Sequence, residues 1–250
     1  MKTPIGIQMY SVRENLAVDF DGTVRKIAEM GYAGVETYKF PEHIEPLKAK
    51  ALFDDLGLIM ISAHADLPLG DQKQQVLDTM AATECPHLVS PWMDPAYYTS
   101  EEKMKTLAEK FNQAALVASE NGMKFSIHNH AFEYASFNGA PAINTLRNYL
   151  EPTVLFQVDT YWVQVAGLDP SAVVAEYGER APLLHIKDGP ATKEADMTAL
   201  GEGVIDVPGI IKAGEPHTEW LIVELDRCAT DMLEAVEKSY KYLADLGYQE

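Results

Sequence analysis

Short apolar strand signals recur eight times along this chain, and they constrain its fold more than any other feature. Each is rich in β-branched or aromatic residues and is followed by a polar loop and a stretch with apolar residues at helical spacing. The eight predicted strands cover residues 5–10, 34–38, 60–65, 88–92, 125–130, 155–161, 183–187 and 221–226. Strands that alternate with helices run parallel, and eight of them close a barrel.

We therefore predict an α/β protein, a (β/α)8 TIM barrel that forms one domain over residues 1–250. No Pro/Gly/Ser linker or shift in composition divides the chain. The alternative is a doubly wound open sheet, which shows the same alternation. That alternative is disfavoured because no Gly-x-Gly-x-x-Gly follows the first strand and because open sheets usually have fewer strands.

The charge balance limits the partners. The chain has 38 Asp and Glu against 20 Lys and Arg, a formal charge of −18, which repels phosphate backbones and anionic lipid surfaces. We expect no nucleic-acid partner and no membrane partner. Cys85 and Cys228 are far apart and have no metal-ligand spacing, and we find no apolar run typical of a signal peptide or a membrane helix. We expect a cytoplasmic protein.

Polar residues gather late in each predicted strand, where the functional groups of a (β/α)8 barrel lie. In the fifth strand, Ser126, His128 and His130 share one face and alternate with Phe125 and Ile127. The same pattern gives the pairs Gln8 and Tyr10, Glu36 and Tyr38, His64 and Asp66, Trp92 and Asp94, Gln157 and Asp159, His185 and Lys187, and Glu224 and Asp226. Two His, one Asp and one Glu from four successive strands suit one divalent ion, with Mn, Co, Zn, Fe and Mg all open.

Six segments carry a resemblance to a known family. They read IGIQMYSVR (5–13), MGYAGVE (30–36), HNHAFE (128–133), DTYW (159–162), HIKD (185–188) and GEGVID (201–206). In this order they resemble the sugar phosphate isomerase/epimerase family of xylose isomerase-like TIM barrels, nearly from end to end. The ordered series is much more specific than any one segment.

The resemblance implies one divalent metal ion held by one residue from each of strands five to eight. By position these residues are His128, Asp159, His185 and Glu224, although His130 shares a face with His128 and is an alternative ligand. Many epimerases of this superfamily have a glutamate at the position of His128, and that glutamate is also one of two acid/base groups. Trp162 stands where tagatose epimerase-like members place a substrate-binding histidine.

Further residues at the strand ends are candidates for proton transfer and substrate contact. We predict catalytic roles for Glu224, Lys187, His130 and Glu133, and substrate-binding roles for Tyr10, Glu36, His64, Trp92 and Trp162. Burial beside a metal ion lowers a lysine pKa, which makes Lys187 a candidate acid or base. Aromatic faces next to polar groups suit the apolar faces of a sugar ring.

The predicted ligands and Lys187 also fit purely structural roles. Asp159 also fits a cap on the following helix. Glu224 also fits a pair with Arg227, although a carboxylate buried at a strand end is costly without a cation. Lys187 also fits a surface pair with Asp188.

The remaining candidates have alternatives as well. Glu36 and His64 fit a hydrogen-bonded barrel rim, and Glu133 fits a residue that orients His130. The aromatic residues fit the core or the rim. The segment 201–203 lacks the spacing of a phosphate loop and fits a turn, with Asp206 as the cap of a helix that begins near residue 207.

The leading functional hypothesis is a metal-dependent isomerase or epimerase of a sugar or keto-sugar, which works through a metal-stabilised enediolate. Because His128 breaks the glutamate pair, the alternative is a lyase or dehydratase, or an enzyme that cleaves 3-keto-glycosides. A non-catalytic sugar-binding barrel is a more remote alternative, and the acidic balance makes an abasic-site endonuclease remote too. The expected partner is a small carbohydrate substrate. The sequence is compatible with a homo-oligomer but does not determine the oligomeric state.

Overall fold

Eight parallel strands close on themselves in the computed structural model, which describes residues 2–248. They are β1 (Ile5–Gln8), β2 (Gly34–Thr37), β3 (Ile59–His64), β4 (His87–Ser90), β5 (Lys124–His128), β8 (Val154–Asp159), β9 (Leu183–Ile186) and β10 (Trp220–Val223). β1 pairs with both β2 and β10, which closes the barrel. A two-stranded hairpin, β6 (Ser136–Phe137) and β7 (Ala140–Pro141), follows β5. The predicted (β/α)8 barrel is confirmed.

The strands end earlier than the sequence predicts. β5 ends at His128 where we predicted residue 130, and β10 ends at Val223 where we predicted residue 226. The apolar and polar alternation continues past the last ladder hydrogen bond, so the pattern alone overestimates strand length. The residues beyond the strand ends belong to the loops at the mouth of the barrel.

Helices surround the barrel. They are α1 (Arg13–Val18), α2 (Phe20–Met30), α3 (Pro46–Asp55), α4 (Lys73–Ala82), α5 (Glu101–Glu120), α6 (Ala142–Arg147), α7 (Thr160–Val165), α8 (Pro170–Tyr177), α9 (Val207–Gly214) and α10 (Met232–Asp245). Within residues 2–248, none of them combines the length and the apolar character needed to cross a membrane.

Helix α5 shows how the sequence fixes these elements. Ser100 accepts a hydrogen bond from the Lys103 N–H and caps the first turn. Met104, Leu107 and Phe111 are buried on one face, as their spacing predicts, and each such side chain contributes roughly 1.5–3 kcal/mol through burial. The helix ends at Glu120, and Asn121 is its C-cap.

Helix α2 ends where the chain must turn sharply beneath α10. Gly31 follows it with φ of 105°, a conformation that favours glycine. A Cβ atom at Gly31 would lie 2.5 Å from the Tyr240 hydroxyl of α10. The glycine is therefore required both by the backbone and by the close approach of the two helices.

The long loop between β9 and α9 is folded around one buried carboxylate. Asp188 accepts hydrogen bonds from the backbone N–H groups of Gly189, Gly201, Gly203 and Ile205, at 2.8–3.1 Å. Segment 201–203 is thus a turn around Asp188. Asp206 accepts a hydrogen bond from the Gly209 N–H and caps α9, as predicted.

A buried histidine lies at the opposite end of the barrel from the mouth. His87 begins β4, and its Nε2 atom is 2.7 Å from the Ser126 hydroxyl on β5. Burial, with a smaller contribution from Lys124, lowers the pKa of His87 to about 3. His87 is therefore neutral in the folded protein at physiological pH.

We predict that His87 makes the fold sensitive to mild acid. Between roughly pH 6.5 and 3 the unfolded chain binds a proton that folded His87 does not, so stability falls by up to about 1.4 kcal/mol per pH unit. Urea unfolding at pH 7 and pH 5 should show a loss about 2 kcal/mol larger for the wild type than for His87→Gln. The control His43→Gln, at an exposed histidine, should behave as the wild type. Equal losses in all three proteins would contradict this assignment.

Candidate metal centre

The structure brings together the four residues that the sequence predicts as ligands. His128 ends β5, Asp159 ends β8, His185 lies in β9, and Glu224 follows β10. One potential ligand atom from each lies within 4.8 Å of the others, and all four side chains are buried. His130 is not in this group, so of the two histidines on β5 and its loop the geometry favours His128.

Hydrogen bonding orients the His128 ring. Its Nδ1 atom is 3.1 Å from the amide oxygen of Gln157, which only accepts hydrogen bonds, so Nδ1 carries the hydrogen. The lone pair of Nε2 is then available, and Nε2 lies 3.7 Å from Asp159 Oδ2. Burial, with the neighbouring histidines, lowers the pKa of His128 well below its usual value. A neutral imidazole with a free nitrogen is the form that binds metal ions.

His185 lies between two carboxylates. Its Nε2 atom is 2.6 Å from Glu36 Oε1, and its Nδ1 atom is 2.8 Å from Glu224 Oε2. Burial by itself lowers the pKa of His185, but Glu224 and Glu36 outweigh it and raise the pKa to about 10. Histidine ligands commonly donate their second nitrogen to a carboxylate, and Glu36 occupies that place here.

Three buried donor atoms of the cluster face charged groups of the cluster itself. Asp159 Oδ2 and Glu224 Oε2 lie next to Lys187 Nζ, and His185 Nδ1 lies next to Glu224 Oε2. Asp159 Oδ1 accepts a hydrogen bond from the Trp162 N–H and caps α7, which is the structural role that the sequence offers for this residue. The cluster is a mixed nitrogen and oxygen donor set, and such a set fits a divalent cation.

The ammonium group of Lys187 lies among three carboxylates. It is 2.8 Å from Asp159 Oδ2, 2.6 Å from Glu224 Oε2 and 2.9 Å from Asp226 Oδ1. Burial lowers the pKa of Lys187, but the carboxylates outweigh it and raise the pKa well above the usual value. The lowering predicted beside a bound metal ion did not count these carboxylates, and it stays a prediction. The alternative pair of Lys187 with Asp188 is wrong.

The carboxylate of Glu36 lies in the barrel interior below the four ligands. Its Oε1 atom accepts hydrogen bonds from Gln8 and His185, both at 2.6 Å. Its Oε2 atom accepts from Ser62 and Gln157. Sequence reasoning missed Ser62, since its only signal is that it shares a strand face with His64. These contacts agree with the alternative in which Glu36 is a hydrogen-bonded residue of the barrel.

The charge of Glu36 is stabilised by histidines. Burial raises its pKa, but His64 and His185 outweigh that effect, and the pKa falls to about 2. Glu36 has no exposed surface, and it does not line the cavity at the mouth. Both histidines lie next to its Oε1 atom, His185 Nε2 at 2.6 Å and His64 Nε2 at 3.3 Å.

His130 lies just beyond β5 and faces the mouth. Its backbone N–H donates to Glu133 Oε2 at 2.8 Å, and its Nδ1 atom is 3.7 Å from Glu133 Oε1. Its ring stacks on Phe132 with the planes 10° apart. Glu133 is buried and does not line the cavity. The geometry therefore matches the alternative in which Glu133 orients His130.

A cavity of about 910 Å³ opens above the cluster. Of the residues predicted for catalysis or substrate binding, those that line it are Tyr10, His64, Trp92, His130, Trp162 and Glu224. Trp162 Nε1 is buried and has no hydrogen-bond partner. The cavity thus presents hydrogen-bonding groups and aromatic faces next to the ligand set.

Comparison with known proteins identifies the family to which this fold belongs. Residues 24–246 match a family model described as xylose isomerase-like TIM barrel. An inosose dehydratase from Clostridium beijerinckii is 25% identical over 274 residues, covering 90% of this chain and 89% of the relative.

Solved structures give the same result for the fold. A sugar phosphate isomerase/epimerase from Parabacteroides distasonis has a TM-score of 0.84 and 24% identity, and the match covers 100% of this chain and 96% of that one. A probable 3-DHS dehydratase from Bacillus anthracis has a TM-score of 0.75 and 14% identity, with 96% and 98% covered. From the family match over most of its length, the chain belongs to the xylose isomerase-like TIM barrel family.

Proposed function

We propose that this protein is a metal-dependent lyase that removes water from a keto-polyol of the inosose class. Eight curated relatives are named inosose dehydratase, and their identities to this chain range from 23% to 28%. The observation that carries the proposal is the position of His130, a cavity-lining imidazole outside the ligand set whose ring lies 5.1 Å from that of His128. This is the dehydratase alternative that the sequence already offered.

One divalent ion would be held by His128, Asp159, His185 and Glu224. When bound, such an ion is a Lewis acid that stabilises the negative charge developing on a carbonyl oxygen during removal of the adjacent proton. Glu36 holds the His185 ring through Nε2, and Gln157 holds the His128 ring through Nδ1. These contacts fix both imidazoles before any ligand arrives.

His130 is the proposed proton-transfer group. It faces the cavity, whereas Lys187 is buried and contacts the carboxylates of Asp159, Glu224 and Asp226. Glu224 lines the cavity too, but it contacts His185 and Lys187 and is one of the four proposed ligands. Glu133 orients the His130 backbone and lies close to Nδ1.

Dehydration needs only one proton-transfer group, and His130 fills that role in the proposal. In dehydration, His130 takes the proton from the carbon next to the carbonyl, and the C–H electron pair forms the new double bond as the neighbouring C–O bond breaks. The hydroxyl leaves as water with the proton returned by His130. Epimerisation requires groups on both faces of the same carbon, and His128 replaces the second glutamate of that pair.

An isomerase or epimerase is the second candidate. It shares the first step, and solved structures with this fold carry the names sugar phosphate isomerase/epimerase and L-ribulose 3-epimerase. The two reactions differ in the next step, in which either the neighbouring C–O bond breaks and water leaves or a proton returns to carbon, so a single incubation distinguishes them.

We predict that the protein loaded with Mn²⁺ or Co²⁺ converts an inosose into a product that has lost one water. Mass spectrometry and the ultraviolet absorbance of the unsaturated ketone measure this directly. His130→Asn should lower turnover by about 10²- to 10⁴-fold with bound metal unchanged, whereas His128→Asn should lose the metal. Deuterium uptake from D₂O with no loss of water would instead support the isomerase. If neither loss of water nor deuterium uptake is observed, both candidates are contradicted.

We predict that Glu36 determines metal affinity from beneath the ligands. Glu36→Gln replaces the charged acceptor of the His185 N–H, so affinity for Co²⁺ should fall by about 10- to 100-fold. Competition titration against a chelator measures it, after circular dichroism has shown that the variant folds. The control Glu133→Gln alters another buried carboxylate, outside the cluster, and should lower turnover while it keeps the metal affinity of the wild type. Equal affinities for the wild type and Glu36→Gln would contradict this role.

A further inference from the structure

The pairing of β5 with β8 stops before it reaches the proposed ligand Asp159. Its last register pair is His128 with Gln157, whereas Asp159 lies two residues farther along β8. A longer β5 would place His130 opposite Asp159, but the His130 N–H donates to Glu133 instead. Because buried main-chain groups are normally hydrogen-bonded, the main chain of Asp159 needs another partner on this side.

The side-chain amide of Asn129 is that partner. The Asp159 N–H donates to Asn129 Oδ1 at 3.0 Å, and Asn129 Nδ2 donates to the Asp159 carbonyl oxygen at 3.2 Å. A side-chain amide has both an acceptor and donors, as a peptide unit does, so Asn129 continues the pairing of the two strands by one step. Asn129 is buried. It therefore fixes the backbone from which the Asp159 carboxylate projects.

Hydroxyl groups hold the main chain at the next two ligands. The Thr160 hydroxyl donates to the His185 carbonyl oxygen at 2.9 Å, and Thr160 has no exposed surface. The buried Ser11 hydroxyl accepts from the Leu225 N–H at 2.9 Å, and Leu225 directly follows Glu224. In each case a side chain that follows one strand bonds the main chain at the end of the neighbouring strand.

We propose that Asn129, Thr160 and Ser11 form a rim belt of positioning residues, which holds the ligands of β8, β9 and β10 at the spacing that one ion requires. The belt acts through main-chain hydrogen bonds and does not coordinate the ion. This inference rests on the proposed metal centre and adds the residues that set its geometry. Partners that orient the ligands of a metal ion contribute about 10- to 100-fold to its affinity.

Thr160 offers the sharpest test, because valine has nearly the same shape and lacks the hydroxyl. Competition against a chelator measures the Co²⁺ affinity of each folded variant. Thr160→Val should bind Co²⁺ about 10- to 100-fold more weakly than the wild type, and Thr160→Ser, which keeps the hydroxyl, should restore most of that affinity. The visible absorbance of bound Co²⁺ depends on the ligand geometry, so it should change in Thr160→Val and return in Thr160→Ser.

Variants at the other belt positions extend the test and provide a matched control. Asn129→Ala and Ser11→Ala should each lower Co²⁺ affinity by about tenfold or more. The control is Ser239→Ala: Ser239 lies on α10, is buried, and accepts from the Leu200 N–H at 3.1 Å. It should lose stability against urea and keep the Co²⁺ affinity of the wild type.

Three outcomes would overturn the rim belt. Thr160→Val and Ser11→Ala could lose stability but keep the Co²⁺ affinity of the wild type, in which case the hydroxyls serve the fold alone. Ser239→Ala could lose as much affinity as they do, in which case any buried hydroxyl has this effect. Both results leave the proposed function standing. A wild type that binds no Co²⁺ would overturn the metal centre and the belt together, and absent dehydration of inosose would contradict the proposed reaction alone.

Discussion

Burying charge inside a barrel of apolar strands is costly unless every charge has a partner, and this constraint determines the centre of the protein. Three carboxylates, Glu36, Asp159 and Glu224, have almost no contact with solvent. The cationic groups among them are His185, which contacts Glu36 and Glu224, and Lys187, which contacts Asp159 and Glu224. An unpaired buried charge would cost several kcal/mol, so these side chains hold one arrangement, and with it the orientation of the ligand set.

The sequence predicts much of this arrangement because a closed parallel barrel leaves few choices. The period of the strands assigns alternate residues to the interior, and parallel order places all carboxyl ends at one mouth. The strand register also places these residues side by side. Asp159 pairs with His185 across β8 and β9, and His128 pairs with Gln157 across β5 and β8. Four ligands on successive strands must therefore meet once the barrel closes.

Other features depend on contacts between residues far apart in the chain, and no local pattern encodes them. Glu36 contacts His185 from 149 positions away, and its position on a strand end fits a rim residue equally well. The pKa of Lys187 depends on three carboxylates from two other strand ends, whose distances the sequence does not give. His128 and His130 share a face in the sequence pattern, and only the point at which β5 ends separates the predicted ligand His128 from His130 in the following loop.

The polar residues of the barrel form two layers. Glu36 and Gln157 lie in the lower layer and contact His185 and His128, while His130 and the other residues that line the cavity form the upper layer. The central claim is that the upper ends of four strands hold one divalent ion. Anomalous diffraction from crystals grown with Co²⁺ tests it most directly. The account predicts one peak within coordination distance of His128 Nε2, His185 Nδ1, Asp159 and Glu224. A peak bound elsewhere, or no peak at this cluster, would contradict it.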